Sequence, residues 1–253
     1  MSKLSYNLLR IRDSYRPNRL SVKKFIIKDD KKHPFAIICP GGGYYMNAAF
    51  VEGDDYAKEL NKLGINCFII YYRVREKAYF PNPVDDVAKA LKCILEKKEK
   101  YNLVDNYAIF GSSAGGHLAG MFARDDIGYK KYNLPKPNAA VLVYPVVTLY
   151  PPTHEGTKRY ILGKNNNEEM IELLSLEKNI TKDYPKTYFM CGKKDSAVNP
   201  IGSLKLKQAF DEKGIEHIFR YYDNLPHGAG IAKGTEAENW IKEAVGFWLK
   251  DSD

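Results

Sequence analysis

The chain has 253 residues, of which 44% are hydrophobic and 28% are charged, as in ordinary globular proteins. It is long enough for one large α/β domain and contains no run of about 20 apolar residues that could span a membrane, so we expect residues 1–253 to form a single domain. The lysines behind the net charge of +8 are scattered or interleaved with acids, as at 96–100, which favours a solvated surface over a nucleic-acid groove.

The predicted elements alternate between strand-like and helix-like patterns, which is typical of a mostly parallel sheet covered on both faces. Strands are predicted at 19–27, 35–39, 65–72, 107–110, 139–144, 186–191 and 215–222, and helices at 54–63, 83–99 and 236–250. The first of these strands is expected at the edge of the sheet. The fold class is therefore α/β, with a central sheet of about eight strands and helices on both faces.

The pattern weakens between residues 148 and 184. Prolines, a glycine and an asparagine run at 165–167 interrupt it, and only 168–174 is predicted to be helical. We predict a small lid-like excursion over the top of the sheet in this segment.

The sequence G-S-S-A-G at 111–115 matches the pattern G-x-S-x-G directly after a predicted strand. At average glycine usage the bare pattern occurs by chance in roughly one chain in twenty. Its position between an apolar strand and a small-residue helix is typical of a nucleophile elbow. We predict Ser113 as the nucleophile and the amide of Ala114 as a donor to a developing oxyanion. A turn without chemical function is the alternative, since a phosphate loop would need a G-K-[ST] sequence nearby.

Three successive glycines at 41–43 follow the buried strand 35–39. Glycines let the backbone approach a substrate closely and turn its N–H groups inward. An oxyanion hole takes one donor from such a loop and one from the residue after the nucleophile. We predict the amides of Gly42 and Gly43 as the loop donors, with Gly42 preferred, and a flexible turn is the alternative.

A serine nucleophile needs a base, and the base needs a partner that fixes its tautomer. Of the five histidines, only His227 lies in a glycine-rich loop beyond the final strand, where the imidazole can reach the serine. His154 precedes any plausible acid. His117, on the elbow helix, is expected to pack within the fold. We therefore predict His227 as the base.

The predicted acid is Asp195, just beyond the carboxyl end of the penultimate strand. In proteins with a nucleophile elbow of this type, the catalytic residues occur along the chain in the order serine, acid, histidine. Asp195, between Ser113 and His227, satisfies that order. Asp223, four residues before His227, is its main competitor. The alternative role for Asp195 is that of an ordinary turn or helix-cap aspartate.

Three tyrosines follow strands at the predicted catalytic edge, namely Tyr44, Tyr45 and Tyr144. Aromatic rings suit both an acyl pocket and a sugar site, so these residues are candidates for substrate binding. Ordinary core packing is the alternative for each of them.

The four cysteines, Cys39, Cys67, Cys93 and Cys191, form no CxxC pair and no metal-like spacing with histidine. Most lie in or beside apolar runs, so we expect small buried thiols in a reducing compartment, the cytoplasm. No signal peptide is visible at the N-terminus.

Several of these motifs resemble those of the small acetylesterases and acetylxylan-esterase-like members of the α/β-hydrolase superfamily, which are related to lipases and esterases with an HGGG loop. The resemblance extends from about residue 34 to the C-terminus. It rests on C-P-G-G-G-Y at 39–44, E-G at 52–53, Y-R at 72–73, Pro83 with Asp86, G-S-S-A-G-G-H-L-A at 111–119, the segment 192–195 and L-P-H-G at 225–228. Pro40 stands where the HGGG relatives have histidine, which favours a P-G-G-G-Y subgroup.

The resemblance implies an α/β-hydrolase fold and cleavage of short acyl esters, often acetyl groups on carbohydrate, without metal or cofactor. It carries the catalytic roles to Ser113, Asp195 and His227, which match the motifs. The expected partner is a small ester such as an acetylated sugar, with no nucleic acid and no membrane, and the oligomeric state stays open. A serine peptidase, amidase or thioesterase on the same fold, or a non-catalytic hydrolase-like binding protein, are the alternatives.

Overall fold

A computed structural model of the protein describes residues 7–9 and 20–250. The strands are β1 (Asn7–Leu9), β2 (Ser21–Phe25), β3 (His33–Cys39), β4 (Asn66–Tyr71), β5 (Leu103–Ser112), β6 (Ala139–Val143), β7 (Thr187–Gly192) and β8 (His217–Tyr222). The α-helices are α1 (Asp55–Lys62), α2 (Asn82–Leu95), α3 (Ala114–Phe122), α4 (Glu155–Leu162), α5 (Glu168–Leu174), α6 (Ile201–Lys213) and α7 (Trp240–Leu249).

Within residues 7–9 and 20–250, the strands form one eight-stranded sheet in the order β1-β2-β4-β3-β5-β6-β7-β8. The six strands from β4 to β8 are parallel to one another, whereas β2 runs antiparallel to both of its neighbours. This topology confirms the predicted α/β class and the sheet of about eight strands.

Helices cover both faces of the sheet, because successive residues of its central strands point to opposite sides. In β3, Ile37 packs into a core formed with α2, α3 and α6, whereas Ile38 packs into a second core formed with α1 and α7. Every residue of β6 and β7 is buried, as expected for parallel strands that are covered twice. The predicted placement of helices on both faces is thus confirmed.

The structure corrects two predictions about single elements. The predicted edge strand 19–27, of which residue 19 lies outside the described residues, is the second strand of the sheet, because the short β1 pairs with β2. A helix not predicted, α4, lies in the segment 148–184. It begins after His154, whose Nδ1 accepts the Thr157 N–H at 3.0 Å, although histidine is not one of the residues preferred at a helix start.

The segment 148–184 is tied to the elbow helix α3 at three points. Leu176 is buried against Gly120, so closely that a Cβ on that glycine would lie 2.5 Å from the leucine side chain. His117 Nε2 lies 2.7 Å from the Leu174 carbonyl oxygen, and Tyr184 donates its hydroxyl to the Gly120 carbonyl oxygen. In the described part of the chain, none of the helices is long and apolar enough to cross a membrane.

Candidate active site

The predicted site residues follow the carboxyl ends of neighbouring parallel strands, which meet at one edge of the sheet. The glycines at 41–43 come after β3, Ser113 after β5, Asp195 after β7 and His227 after β8. Side chains that are far apart in the sequence therefore lie together at this edge of the sheet.

Ser113 is the residue at which β5 turns sharply into α3. Its backbone has φ 54° and ψ −122°, a conformation that L-residues rarely adopt and that is typical of a nucleophile elbow. The Ser113 N–H donates to the Val143 carbonyl at 2.9 Å, and the Ser113 carbonyl accepts from the amides of His117 and Val146. These bonds fix the turn and project the side chain from the end of the strand.

The flanking glycines are required by close packing around the turn. A Cβ on Gly111 would lie 2.1 Å from the Gly115 carbonyl oxygen, and a Cβ on Gly115 would lie 2.1 Å from the Cys39 carbonyl oxygen. No side chain fits at such distances. The elbow therefore packs directly against the end of β3, where the glycine loop begins.

A continuous hydrogen-bond chain joins the predicted nucleophile, base and acid. His227 Nε2 lies 2.9 Å from Ser113 Oγ, and His227 Nδ1 lies 2.7 Å from Asp195 Oδ2. Because an ionised carboxylate can only accept, Nδ1 carries the proton and Nε2 is left to accept from the serine hydroxyl. The arrangement can move a proton from the hydroxyl to the imidazole.

Asp195 is held in place by its second oxygen. Oδ1 accepts the amide N–H groups of Ala197 and Val198, both at 2.9 Å, and the residue is 8% exposed. The competitor Asp223 lies at the surface in an ion pair with Lys193. Of the two candidate acids, only Asp195 contacts the imidazole of His227.

The glycine loop offers free amides beside the serine. A Cβ on Gly41 would lie 3.0 Å from Ser113 Cβ, so the loop passes against the nucleophile. Within residues 20–250 no hydrogen-bond acceptor is found for the N–H groups of Gly42 and Gly43. The amide of Ala114, in the first turn of α3, lacks a partner within its helix. The structure thus brings all three predicted donors to the serine's end of the sheet.

The three predicted substrate-binding tyrosines have different surroundings. Tyr45 is 48% exposed. Tyr44 is fully buried, and its hydroxyl lies 3.1 Å from His117 Nδ1, so its ring belongs to the core and not to a substrate surface. Tyr144 is also buried, with its ring centroid 4.9 Å from that of His227.

A buried carboxylate, Glu52, connects the glycine loop to the loop that carries His227. Its Oε2 accepts the Gly41 N–H at 2.7 Å, and its Oε1 accepts the Tyr144 hydroxyl at 2.9 Å. The Tyr144 hydroxyl also accepts the Gly230 N–H at 3.1 Å, three residues beyond His227. Burial raises the pKa of Glu52, while both oxygens accept hydrogen bonds as an ionised carboxylate does. Sequence reasoning gave this residue no role.

His154 lies next to Gly43 of the glycine loop. Its Cε1 would be 3.2 Å from a Cβ on Gly43, and its Nδ1 accepts from Thr157. Burial, followed by the proximity of His227, lowers the pKa of His154. Order along the chain excludes His154 as the base of the predicted triad, but its position beside the loop was not predictable from that order.

The chain is similar to a known family model and to known proteins. Residues 26–210 match the family model BD-FAE. The chain is 30% identical over 229 residues to endo-1,4-β-xylanase B of Butyrivibrio fibrisolvens, a match that covers 85% of this chain and 35% of that protein. It is 26% identical over 217 residues to the acetylxylan esterase of Xylanibacter ruminicola, covering 83% and 44% respectively. The chain therefore spans less than half the length of these two relatives.

A solved structure resembles the chain over nearly its whole length. It is that of the acetyl ester-xyloside bifunctional hydrolase from Caldicellulosiruptor lactoaceticus, with a TM-score of 0.83 and 30% sequence identity. The match covers 94% of this chain and 92% of that one.

Proposed function

The chain belongs to the BD-FAE family and has the α/β-hydrolase fold, and from this we propose that it is a serine carboxylesterase for short acyl esters, acetyl esters of carbohydrate in particular. The observation that carries the proposal is the chain of contacts from Ser113 Oγ to His227 at 2.9 Å and from His227 to Asp195 at 2.7 Å. Such contacts define an activated nucleophile.

In the proposed first step, Ser113 Oγ attacks the ester carbonyl carbon while His227 Nε2 takes the hydroxyl proton. The carbonyl oxygen becomes an oxyanion, and the amides of Ala114 and Gly42, with Gly43 beside them, donate to it. Asp195 stabilises the imidazolium through Nδ1. When the C–O bond to the alcohol breaks, His227 returns the proton to the leaving oxygen, and an acyl-enzyme remains on Ser113.

In the second step, water attacks the acyl carbonyl and gives its proton to His227. The new oxyanion occupies the same donors, and collapse breaks the bond to Ser113 Oγ, which regains its proton from the imidazole. The acid is released and the starting state is restored. The residues of this chain supply every proton transfer in the cycle.

The substrate class is supported by the names of the relatives. One is an acetylxylan esterase, and the similar solved structure is of a protein that acts on an acetyl ester and a xyloside. We extend the acetyl and carbohydrate preference to this chain as a proposal, because it spans only part of the curated relatives. The cytoplasm is proposed as the compartment, and the four free cysteines, three of them buried, support it. A single domain from 1 to 253 also remains a prediction.

The proposal is tested by changing Ser113 to Ala. We expect turnover of p-nitrophenyl acetate to fall about 10⁴- to 10⁶-fold, and the mass shift given by a fluorophosphonate probe to disappear. Ser112→Ala is the matched control, since the probe should still label Ser113 in that variant. Hydrolysis retained by Ser113→Ala would refute the assignment.

A panel of substrates separates the alternative activities. We expect p-nitrophenyl esters to be cleaved best at short acyl length, and acetylated xylo-oligosaccharides to be deacetylated. Rates that rise toward long acyl chains, or a preference for the matching anilide or thioester, would contradict the short-acyl esterase proposal. Absence of turnover on every substrate, with no probe labelling, would favour a binding protein.

A further inference from the structure

A cavity next to Tyr45, called the groove below, has no role in the proposed chemistry. It has a volume of about 630 Å³, within the range of small-molecule sites. It is formed between the chain after β4 and the end of α4. Among its lining residues are Arg75, Glu76, Tyr79, Arg159, Tyr160 and Lys164.

This groove is joined to the site through Tyr45, which follows the glycine loop. The ring of Tyr45 contacts the ring of Tyr160 at a centroid distance of 5.9 Å, and the Arg75 guanidinium lies over it at 4.5 Å. Arg75 is further tied to the loop by its N–H, which donates to the Tyr44 carbonyl at 2.7 Å. Helix α4, which carries Arg159, starts at the His154 that contacts Gly43.

The distance from the glycine loop to the groove is short. Arg159 lies five positions after His154 along α4, which corresponds to about 7.5 Å at the rise of an α-helix. A carbohydrate whose ester lies at Ser113 could therefore extend into the groove with its neighbouring sugar units.

The charge of the groove is positive and unbalanced. Arg75, Arg159 and Lys164 form no ion pair within residues 20–250, and Glu76 is the one carboxylate among the lining residues. Arg75 is held at φ 57°, a strained conformation for a residue other than glycine. The guanidinium groups of Arg75 and Arg159 lie over the rings of Tyr45 and Tyr160, and Arg75 Nε donates to the Tyr45 carbonyl at 3.3 Å. These contacts leave their charge without a carboxylate partner, so the groove can receive an anion from solution.

We propose that this groove binds an acidic sugar unit, a uronic acid, next to the acylated sugar. Guanidinium groups recognise carboxylates through paired N–H donors, and the rings of Tyr45, Tyr79 and Tyr160 offer flat apolar surface to a sugar. The inference rests on the proposed esterase function and names a narrower substrate for it, an acetylated oligosaccharide that carries a carboxylate.

The test compares two monoacetylated xylo-oligosaccharides of the same length: one carries a uronic acid residue, and in its neutral counterpart the carboxyl group of that residue is reduced to CH₂OH. The readout is the ratio of kcat/KM for the acidic over the neutral substrate, so any general effect of a mutation cancels. We expect a ratio of about 5 to 10 at low salt, since each exposed ion pair contributes only modestly. The ratio should approach about 1 near 0.5 M salt because of screening.

Two variants connect this ratio to the groove. Arg159→Gln is expected to lower it about twofold to fivefold, and the double variant Arg75→Gln/Arg159→Gln to bring it near 1. Lys242→Gln removes the same charge from the exposed face of α7, on the opposite side of the sheet, and should leave the ratio unchanged.

The outcomes separate this inference from the proposed function. Equal rates on both substrates by an active enzyme, or an acidic preference that survives the double variant, would overturn the groove while the esterase proposal stands. Deacetylation that persists in Ser113→Ala, or no deacetylation at all, would overturn the esterase proposal and the groove with it. A ratio that falls in the arginine variants alone supports the groove.

Discussion

Ser113 keeps a backbone conformation that costs of the order of 1–3 kcal/mol, and the surrounding residues hold it there. Its own N–H and carbonyl are bonded to Val143, Val146 and His117. The tight contact between Gly115 and the end of β3 leaves the turn no room to relax. The strain is therefore balanced by packing that glycine alone permits.

Replacing Gly115 by Ala tests this packing. A Cβ there would lie 2.1 Å from the Cys39 carbonyl oxygen and 2.4 Å from that of Pro40, so we expect a loss of about 3 kcal/mol or more in the free energy of unfolding. Gly246→Ala in α7 is the matched control. A Cβ at Gly246 meets nothing within 4 Å, and this change should stabilise by about 0.5–1 kcal/mol. Urea unfolding measures both, and equal effects would contradict the packing argument.

Replacing Asp195 by Asn tests the acid. The amide oxygen can still accept from Ala197 and Val198, but its NH₂ group would face His227 Nδ1 and favour the wrong tautomer. We expect kcat on p-nitrophenyl acetate to fall about 10⁴-fold with little change in Tm. Asp223→Asn, which removes the rival acid from its surface pair with Lys193, should stay within about twofold. The reverse pattern would reassign the acid to Asp223.

The sequence was informative about residues whose local context is distinctive. The G-x-S-x-G turn, the three glycines and a histidine in a glycine-rich loop are each visible within a few neighbouring positions. Glu52 could not be given a role in this way, because its hydrogen-bond partner Tyr144 is 92 positions away. The E-G pair at 52–53 belongs to the motifs of the family resemblance, but the pair alone does not indicate which groups the carboxylate bonds.

At the scale of elements, Glu52 connects three segments that are distant in sequence: its own helical turn, the glycine loop and the loop of His227. It sits in a short π-helix, Phe50–Asp54, bonds the glycine loop after β3, and reaches the loop of His227 through Tyr144. Tyr56 in α1 extends the contact to Ser112, next to the nucleophile, at 2.9 Å. This set of bonds aligns the oxyanion loop with the base.

Replacing Glu52 by Gln keeps the size of the side chain, but its NH₂ group would face one of the two present donors, the Gly41 N–H or the Tyr144 hydroxyl. We expect kcat/KM to fall about 10- to 100-fold, as a small misplacement of catalytic groups can cause. Because burial raises the pKa of Glu52, protonation of this carboxylate should contribute to the loss of activity on the acid side of the pH profile, and the variant should lack this contribution.

Glu59→Gln on the outer side of α1, where the carboxylate pairs with Lys62, is the control and should change neither quantity. A Glu52→Gln variant with a lower Tm but unchanged kinetics and pH profile would show that Glu52 only supports packing.

The elements that were not predicted have physical reasons. Helix α4 begins after two prolines and is capped by a histidine, so the usual start signals of a helix are missing. The strand predicted at 107–110 extends from Leu103 to Ser112, because pairing with β3 continues past the apolar stretch. Long apolar strands were predicted well, since burial on both faces gives them an unmistakable composition.

At the scale of the whole molecule, His117 links the elbow helix to the segment 148–184. Its Nε2 donates to Leu174, and its Nδ1 accepts from the Tyr44 hydroxyl. This confirms the packing role predicted for it. Burial lowers the pKa of His117 from 6.5 to about 4, because the charged ring would lose its hydration.

This shift makes the stability of the protein fall in mild acid. Between about pH 6.5 and pH 4 the unfolded chain binds a proton that the native imidazole does not, so the free energy of unfolding decreases as pH falls through that window. The slope contributed is at most about 1.4 kcal/mol per pH unit. The variant His117→Gln keeps a donor for the Leu174 carbonyl. Its free energy of unfolding should depend less steeply on pH in this window, as measured by denaturant unfolding at a series of pH values. An identical slope would show that His117 titrates normally.

The proposed catalytic residues follow strand ends of the sheet, whereas α4 belongs to an insert between β6 and β7. That insert contacts α3, and its buried side chains, such as Leu162 and Leu174, pack into the core on one face of the sheet, but its described residues form none of the strands. In the proposed function, ester cleavage and the selection of the alcohol therefore depend on different segments of the chain. We expect that exchanging residues 148–184 for the equivalent insert of a relative would change the specificity for the alcohol, while the proposed catalytic residues at the strand ends are kept.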